Sequence, residues 1–223
     1  MINFFERFVK RLYKIIIFKG IIDFLFINFR LLIWKHRKKI HGMNENELFL
    51  AQYLKKKIKN KKFSLLELGC GEGNLIKYLN KYFPSSKLVG YDLNFHCIND
   101  AKKSKIENAK FYVKNINKIQ KFKSFDYIVS KASLIYLSEV EIISFFRILF
   151  KSKFKKCFFL ELGTNETSCQ KTSFFAHNYN ELLKKYSRKN KINFNIQIKP
   201  KLKTKWYTKN VKIFPVLVEI SKF

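Results

Sequence analysis

The sequence predicts an α/β fold with a mostly parallel sheet, and three observations carry that prediction. From Phe63 onward, short apolar runs of strand length alternate with helical patterns. The first run, Leu65-Leu66-Glu67-Leu68, breaks into Gly69-Cys70-Gly71-Glu72-Gly73, with a glycine at every second position. A second run, Leu88-Val89-Gly90-Tyr91, ends about twenty residues after the first in Asp92.

Taken in order, the elements agree with this plan. Asn44 to Ile58 reads as a helix with Asn44 or Asn46 as its cap. The run at Leu65 is continuously apolar, as a parallel strand covered on both faces requires. The glycines after it let the backbone turn sharply and approach a ligand closely. Leu75, Ile76, Tyr78 and Leu79 then repeat at helical spacing, so the glycine loop lies between a strand and a helix start. Asp92, at the end of the second strand, is placed to hydrogen-bond the two hydroxyls of a ribose. Phe111-Tyr112-Val113 is the third strand, ending at Lys114-Asn115, and Phe125 to Ser130 is the fourth. Ser138 to Phe150 is a helix with an N-cap serine and early Glu139 and Glu141. Lys156 to Glu161 is the fifth strand, and Ile192 to Ile198 pairs with Val211 to Ile220 as a closing antiparallel hairpin. The glycine loop and Asp92 together indicate a cofactor that contains a nucleoside.

The spacing excludes the dinucleotide fingerprint, which needs a third glycine where this chain has Asn74. The pattern is instead E-x-G-x-G-x-G, through Glu67, Gly69, Gly71 and Gly73. With Asp92, that order resembles the first two motifs of the class I S-adenosylmethionine-dependent methyltransferases. The resemblance runs from about Phe63 to the C-terminus. It implies a Rossmann-like, seven-stranded, mostly parallel sheet with a C-terminal antiparallel hairpin over residues 61–223, and S-adenosylmethionine as cofactor. In that family the glycine loop, here with Cys70, lies under the methionine portion; Glu67 would help hold its amino group and Asp92 the ribose. Leu93, Asn115, Ile116 and Ser130 would complete the contacts. The family commonly has an acidic residue where Asn115 stands, contacting the adenine amino group, and an Asn carbonyl can accept that hydrogen bond. Lys131-Ala132-Ser133 would run past the transferable methyl group.

The acceptor is less constrained. The Asn/Asp-Pro-Pro-Tyr loop used to methylate base amines is replaced by Ser130-Lys131-Ala132-Ser133, and there is no cysteine pair for a pyrimidine carbon. After the fifth strand come Glu161-Leu162-Gly163-Thr164-Asn165-Glu166 and then Phe174-Phe175-Ala176-His177-Asn178-Tyr179. This layout resembles small-molecule and sugar methyltransferases of bacterial surface-polysaccharide pathways, where the loop after strand five carries acceptor contacts. Transfer to O or N of a sugar or phosphorylated glycan precursor is the reading that follows. His177 is the candidate general base, with a pKa suited to the task near neutrality, or else a histidine making local hydrogen bonds at a helix start. Glu161 and Tyr136 are further candidates, although a Tyr in an apolar stretch is usually core. An RNA methyltransferase and a non-catalytic, membrane-associated protein of the same fold are the alternatives.

Composition bears on partners. The chain has 223 residues and a formal charge of +30, which favours acidic partners. Lys far outnumbers Arg and is dispersed along the chain, the slant of an AT-rich coding sequence, so a solvated lysine surface is favoured over a dedicated RNA face. Cys70, Cys97, Cys157 and Cys169, like His36, His41, His96 and His177, lack metal-ligand spacing, and a metal-free protein of the reducing cytoplasm is expected. Residues 1–60 read as a separate helical segment. Within it, Leu12 to Trp34 is apolar but interrupted by Lys19, Asp23 and Arg30, which argues against a spanning helix or a secretory signal. Residues 1–42 would form helices lidding the cofactor, a helix lying on the inner face of the membrane, or a dimer contact.

Overall fold

The computed structural model describes residues 43–165, 169–171, 174–198 and 213–222. The expectations for residues 1–42 therefore lie outside the described residues. The compact unit containing the described elements runs from Lys39 to Phe223.

Helix α1 (Glu45–Lys57) begins where Asn44 Oδ1 accepts the Glu47 N–H at 3.0 Å, and it closes on Lys55, Lys56 and Lys57. Both ends thus suit the helix dipole. Five parallel strands follow: β1 (Ser64–Leu68), β2 (Lys87–Asp92), β3 (Ala109–Val113), β4 (Tyr127–Lys131) and β5 (Lys156–Thr164). Between them run α2 (Asn74–Tyr82), α3 (Phe95–Lys103) and α4 (Glu139–Lys151). Ser138 starts α4 through the reciprocal capping box with Glu141. The small antiparallel pair β6 (Cys169–Lys171) and β7 (Phe174–Ala176) precedes α5 (Tyr179–Asn190), and β8 (Ile192–Ile198) and β9 (Ile213–Lys222) close the sheet. The order is β3-β2-β1-β4-β5-β9-β8, with β9 antiparallel to both β5 and β8. This is the seven-stranded, mostly parallel sheet that the sequence predicts.

Successive strand residues point to opposite faces, and the core divides accordingly. Leu65, Val129 and Leu160 pack with Leu50 and Leu54 of α1, with α2 and with α3. Leu66, Leu68, Ile128 and Phe159 pack on the other face with Phe145, Phe146 and Leu149 of α4 and Leu183 of α5. Helix α1 therefore shares one core with β1, although the sequence places a boundary at residue 60 between them. By the same alternation Glu67 and Lys131 share the α1 face, while Ser130 and Glu161 share the α4–α5 face. Two buried polar groupings thus stand on opposite faces of the sheet, both toward the carboxyl ends of its central strands.

Candidate active site at the carboxyl ends of the central strands

The glycine turn folds back on β2. The N–H groups of Gly69 and Cys70 both donate to Tyr91 O, at 2.7 and 3.0 Å. Asp92 Oδ2 accepts the Gly71 N–H at 2.8 Å, and Oδ1 accepts that of Asn94 at 2.7 Å. Burial raises the pKa of Asp92, and those backbone N–H groups pull it back. Gly69 and Gly71 both sit at positive φ, +71° and +51°, but their surroundings differ. A side chain at Gly69 would run into Ser133 Oγ, whereas at Gly71, neighbours in the chain aside, no atom of the described residues lies within 4 Å of the Cβ position. Gly73 is the N-cap of α2, and Cys70 is buried beneath the turn.

Beneath the turn Glu67 is buried, and its Oε2 has no hydrogen-bond partner. Burial pushes its pKa well above the carboxylate range, and the charge of Glu47 pushes it further. Beyond Asp92, Asn94 accepts from the N–H groups of His96 and Cys97 and starts α3. Leu93 is half-buried beside it. Asn115 Oδ1 accepts from the Asn117 N–H at 3.0 Å and caps the single turn containing Ile116, so the carbonyl expected to face adenine is engaged locally. Exposed Phe95 and Val113 flank this end; an apolar side chain within a helix start or a strand end gives no signal that would mark either as a site residue.

On the α4–α5 face, Glu161 Oε1 accepts from Ser130 Oγ at 2.6 Å and from the Ser133 N–H at 3.2 Å. Its Oε2 is buried without a partner. Burial raises its pKa to about 7, against the pull of the Ser130 hydroxyl and the N–H groups of Ser133 to Ile135. His177 is fully buried and stacks on Phe175 at 6.1 Å, edge-on to Tyr179 at 5.8 Å. The carbonyls of Leu134 and Leu137 face its ring, but neither ring nitrogen closes a hydrogen bond. Burial lowers its pKa to about 4, which corrects the expectation of a value near neutrality. The hydroxyl of Tyr179 is likewise buried and unpartnered, and the charge of Glu161 adds to the burial that raises its pKa. Tyr136 is half-buried against Ile135, Leu162 and Phe174. Tyr179 escapes a sequence reading, being one of 11 tyrosines with nothing in its spacing to mark it.

The glycine turn, the carboxylate at the end of β2 and the strand order define a protein of the class I S-adenosylmethionine-dependent methyltransferase fold. A family model described as a methyltransferase domain matches residues 59–207, and the chain belongs to that family. A malonyl-[acyl-carrier protein] O-methyltransferase of Bacillus anthracis is 30% identical over 83 residues, which are 37% of this chain and 31% of that relative. The chain thus matches about a third of that relative's length. Among solved structures, an S-adenosylmethionine-dependent methyltransferase of Leishmania major has a TM-score of 0.67 at 14% identity, covering 88% of this chain and 83% of its own. Magnesium protoporphyrin IX methyltransferase of Synechocystis PCC 6803, solved with S-adenosylmethionine bound, has a TM-score of 0.61 at 12% identity, with coverages of 85% and 89%.

Among the described residues no His, Cys, Asp and Glu group could hold a metal ion, and no helix is long and apolar enough to cross a membrane. Cys70, Cys97 and Cys157 are free thiols.

Proposed function

We propose that the protein is an S-adenosylmethionine-dependent methyltransferase acting on oxygen or nitrogen of a small molecule, a sugar or a phosphorylated glycan precursor. The observation that carries the cofactor is the space above Gly71, beside Asp92, where among the described residues nothing lies within 4 Å of the Cβ position. Asp92 has lone pairs left for two ribose hydroxyls after accepting its two N–H groups, and Phe95 and Val113 offer apolar surface to a purine. The cofactor would supply a methyl group on a sulfonium already activated for in-line displacement.

The chain's own contribution is alignment and a proton acceptor. Glu161 suits that second role better than His177. Its Oε2 is free, it sits between Ser130 and the Ser133 turn that touches Gly69, and burial raises its pKa to about 7. The charge of +30 suits a phosphorylated acceptor, and a carrier-bound acid of the kind named for the Bacillus relative would suit it equally. Two measurements test the reading. Asp92→Ala should weaken S-adenosylhomocysteine binding by roughly 1.5–3 kcal/mol, the range for hydrogen bonds to charged groups; unchanged affinity in a folded variant removes the cofactor assignment. Release of S-adenosylhomocysteine with phosphosugars or sugar nucleotides, and none with malonyl-[acyl-carrier protein], is expected; the reverse pattern removes the glycan.

A further inference from the structure

Three carboxylates and one ammonium converge beneath the glycine turn on the α1 face. Glu67 comes from β1, Glu72 from the turn, Lys131 from the end of β4, and Glu47 from the first turn of α1. The charge of Lys131 acts on both Glu47 and Glu67, while Glu72 acts on Glu47 and Glu47 on Glu67. Two oxygens in this group, Glu67 Oε2 and Glu72 Oε1, are buried without any hydrogen-bond partner. Capping explains part of Glu47, because the Asn44 N–H faces its carboxylate while the Asn44 side chain takes the Glu47 N–H. Capping does not explain why that carboxylate is 8% exposed and set beside a second, nearly inaccessible one. Buried like charges without a cation between them are costly, and a single half-buried lysine does not neutralise three acids.

A zwitterion would complete this arrangement. Its ammonium would satisfy the bare carboxylate oxygens, and its carboxylate would take Lys131, without changing the net charge of the pocket. We propose that Glu47 and Lys131 hold the α-amino acid end of the cofactor, Glu47 joining Glu67 at the ammonium and Lys131 taking the carboxylate. This rests on the S-adenosylmethionine reading above. It extends the site to α1, a helix that lies outside the residues 59–207 matched by the family model. Helix α1 would then be part of the cofactor site and not merely a support for β1.

Calorimetry on the full chain with three ligands tests this. S-Adenosylhomocysteine carries the whole amino acid, its decarboxylated analogue keeps only the amine, and 5′-methylthioadenosine lacks both. Glu47→Gln should weaken the first two by about tenfold to a hundredfold and leave 5′-methylthioadenosine unchanged, as expected for a hydrogen bond to a charged group. Lys131→Met should weaken S-adenosylhomocysteine alone by a similar factor. Unaltered 5′-methylthioadenosine affinity also certifies that each variant is folded. Equal losses for all three ligands, or none for S-adenosylhomocysteine, overturn the proposal while leaving the cofactor reading intact. A wild-type protein that binds none of the three overturns both.

Discussion

Ser130 Oγ donates a 2.6 Å hydrogen bond to Glu161 Oε1, and that contact joins the neighbouring strands β4 and β5 near their carboxyl ends. The Ser133 N–H takes the same oxygen, so Oε2 is left bare in a site closed to solvent. An unsatisfied buried carboxylate oxygen is costly, and a proton on it relieves much of that cost. The raised pKa of Glu161 has this origin. His177, which faces the Leu134–Leu137 segment that follows Ser133, shows the converse case: a base kept neutral because its charge would be buried.

The two groups should give opposing pH dependences of stability. Glu161 titrates at about 7 in the folded chain against an ordinary 4.5, so across that window the folded state holds a proton that the unfolded state has lost. Its contribution falls as pH rises from about 4.5 to 7. His177 titrates at about 4 against an ordinary 6.5, so its contribution falls as pH drops from about 6.5 to 4. Each amounts to about 3 kcal/mol at 1.36 kcal/mol per unit, and the two nearly cancel where the windows overlap. Chemical denaturation along a pH series should expose them singly. Relative to wild type, Glu161→Gln should lose stability toward acid and His177→Gln should gain it; parallel curves for all three proteins would refute the account.

The two glycines of the turn should fail differently. Gly69→Ala places a methyl group against Ser133, whose N–H is fixed by Glu161, so its main effect should be lost stability beyond the roughly 1–2 kcal/mol of left-handed backbone strain. Gly71→Ala meets only the strain, since nothing among the described residues stands there. Its main effect should be on ligand. Thermal unfolding paired with S-adenosylhomocysteine titration separates the cases, and a Gly71→Ala protein binding as tightly as wild type would show that the space is unused.

Strands β1, β2 and β4 were legible because each is a short, nearly continuous apolar run, stopped by Gly69, Asp92 and Lys131 respectively. The predicted cap at Ser138 and the closing hairpin also match what is observed, to within about two residues. The pair β6–β7 was not legible, because strands of three residues carry too little periodicity. Nor was α3, although Asn94 before Phe95 is a cap signal that could have marked it. At the candidate site, Glu67 and Asp92 follow from local spacing, whereas the placing of Glu47 beside Glu67, and of Tyr179 in the core below Glu161, comes only from tertiary packing. The pKa of His177 could not be read either, since a burial of this degree is a property of the fold and no local pattern announces it.

Catalysis offers the sharpest choice between Glu161 and His177. A proton acceptor must be deprotonated before it acts, so turnover limited by Glu161 should rise with pH through about 7. Turnover limited by His177 would rise through about 4 and be flat near neutrality. Glu161→Gln should lower kcat by roughly 10²–10⁴-fold, the usual contribution of general acid–base chemistry, and should abolish the rise near 7. S-Adenosylhomocysteine affinity should stay nearly unchanged, because Asp92 and the glycine turn lie outside the hydrogen bonds of Glu161. His177→Gln leaves the Glu161 carboxylate and its Ser130 and Ser133 donors in place, so it should lower kcat far less and keep the same inflection. If instead His177→Gln alone abolishes turnover and Glu161→Gln retains it, the histidine is the base, and the Leu134–Leu137 segment must move aside from its ring before an acceptor can reach it.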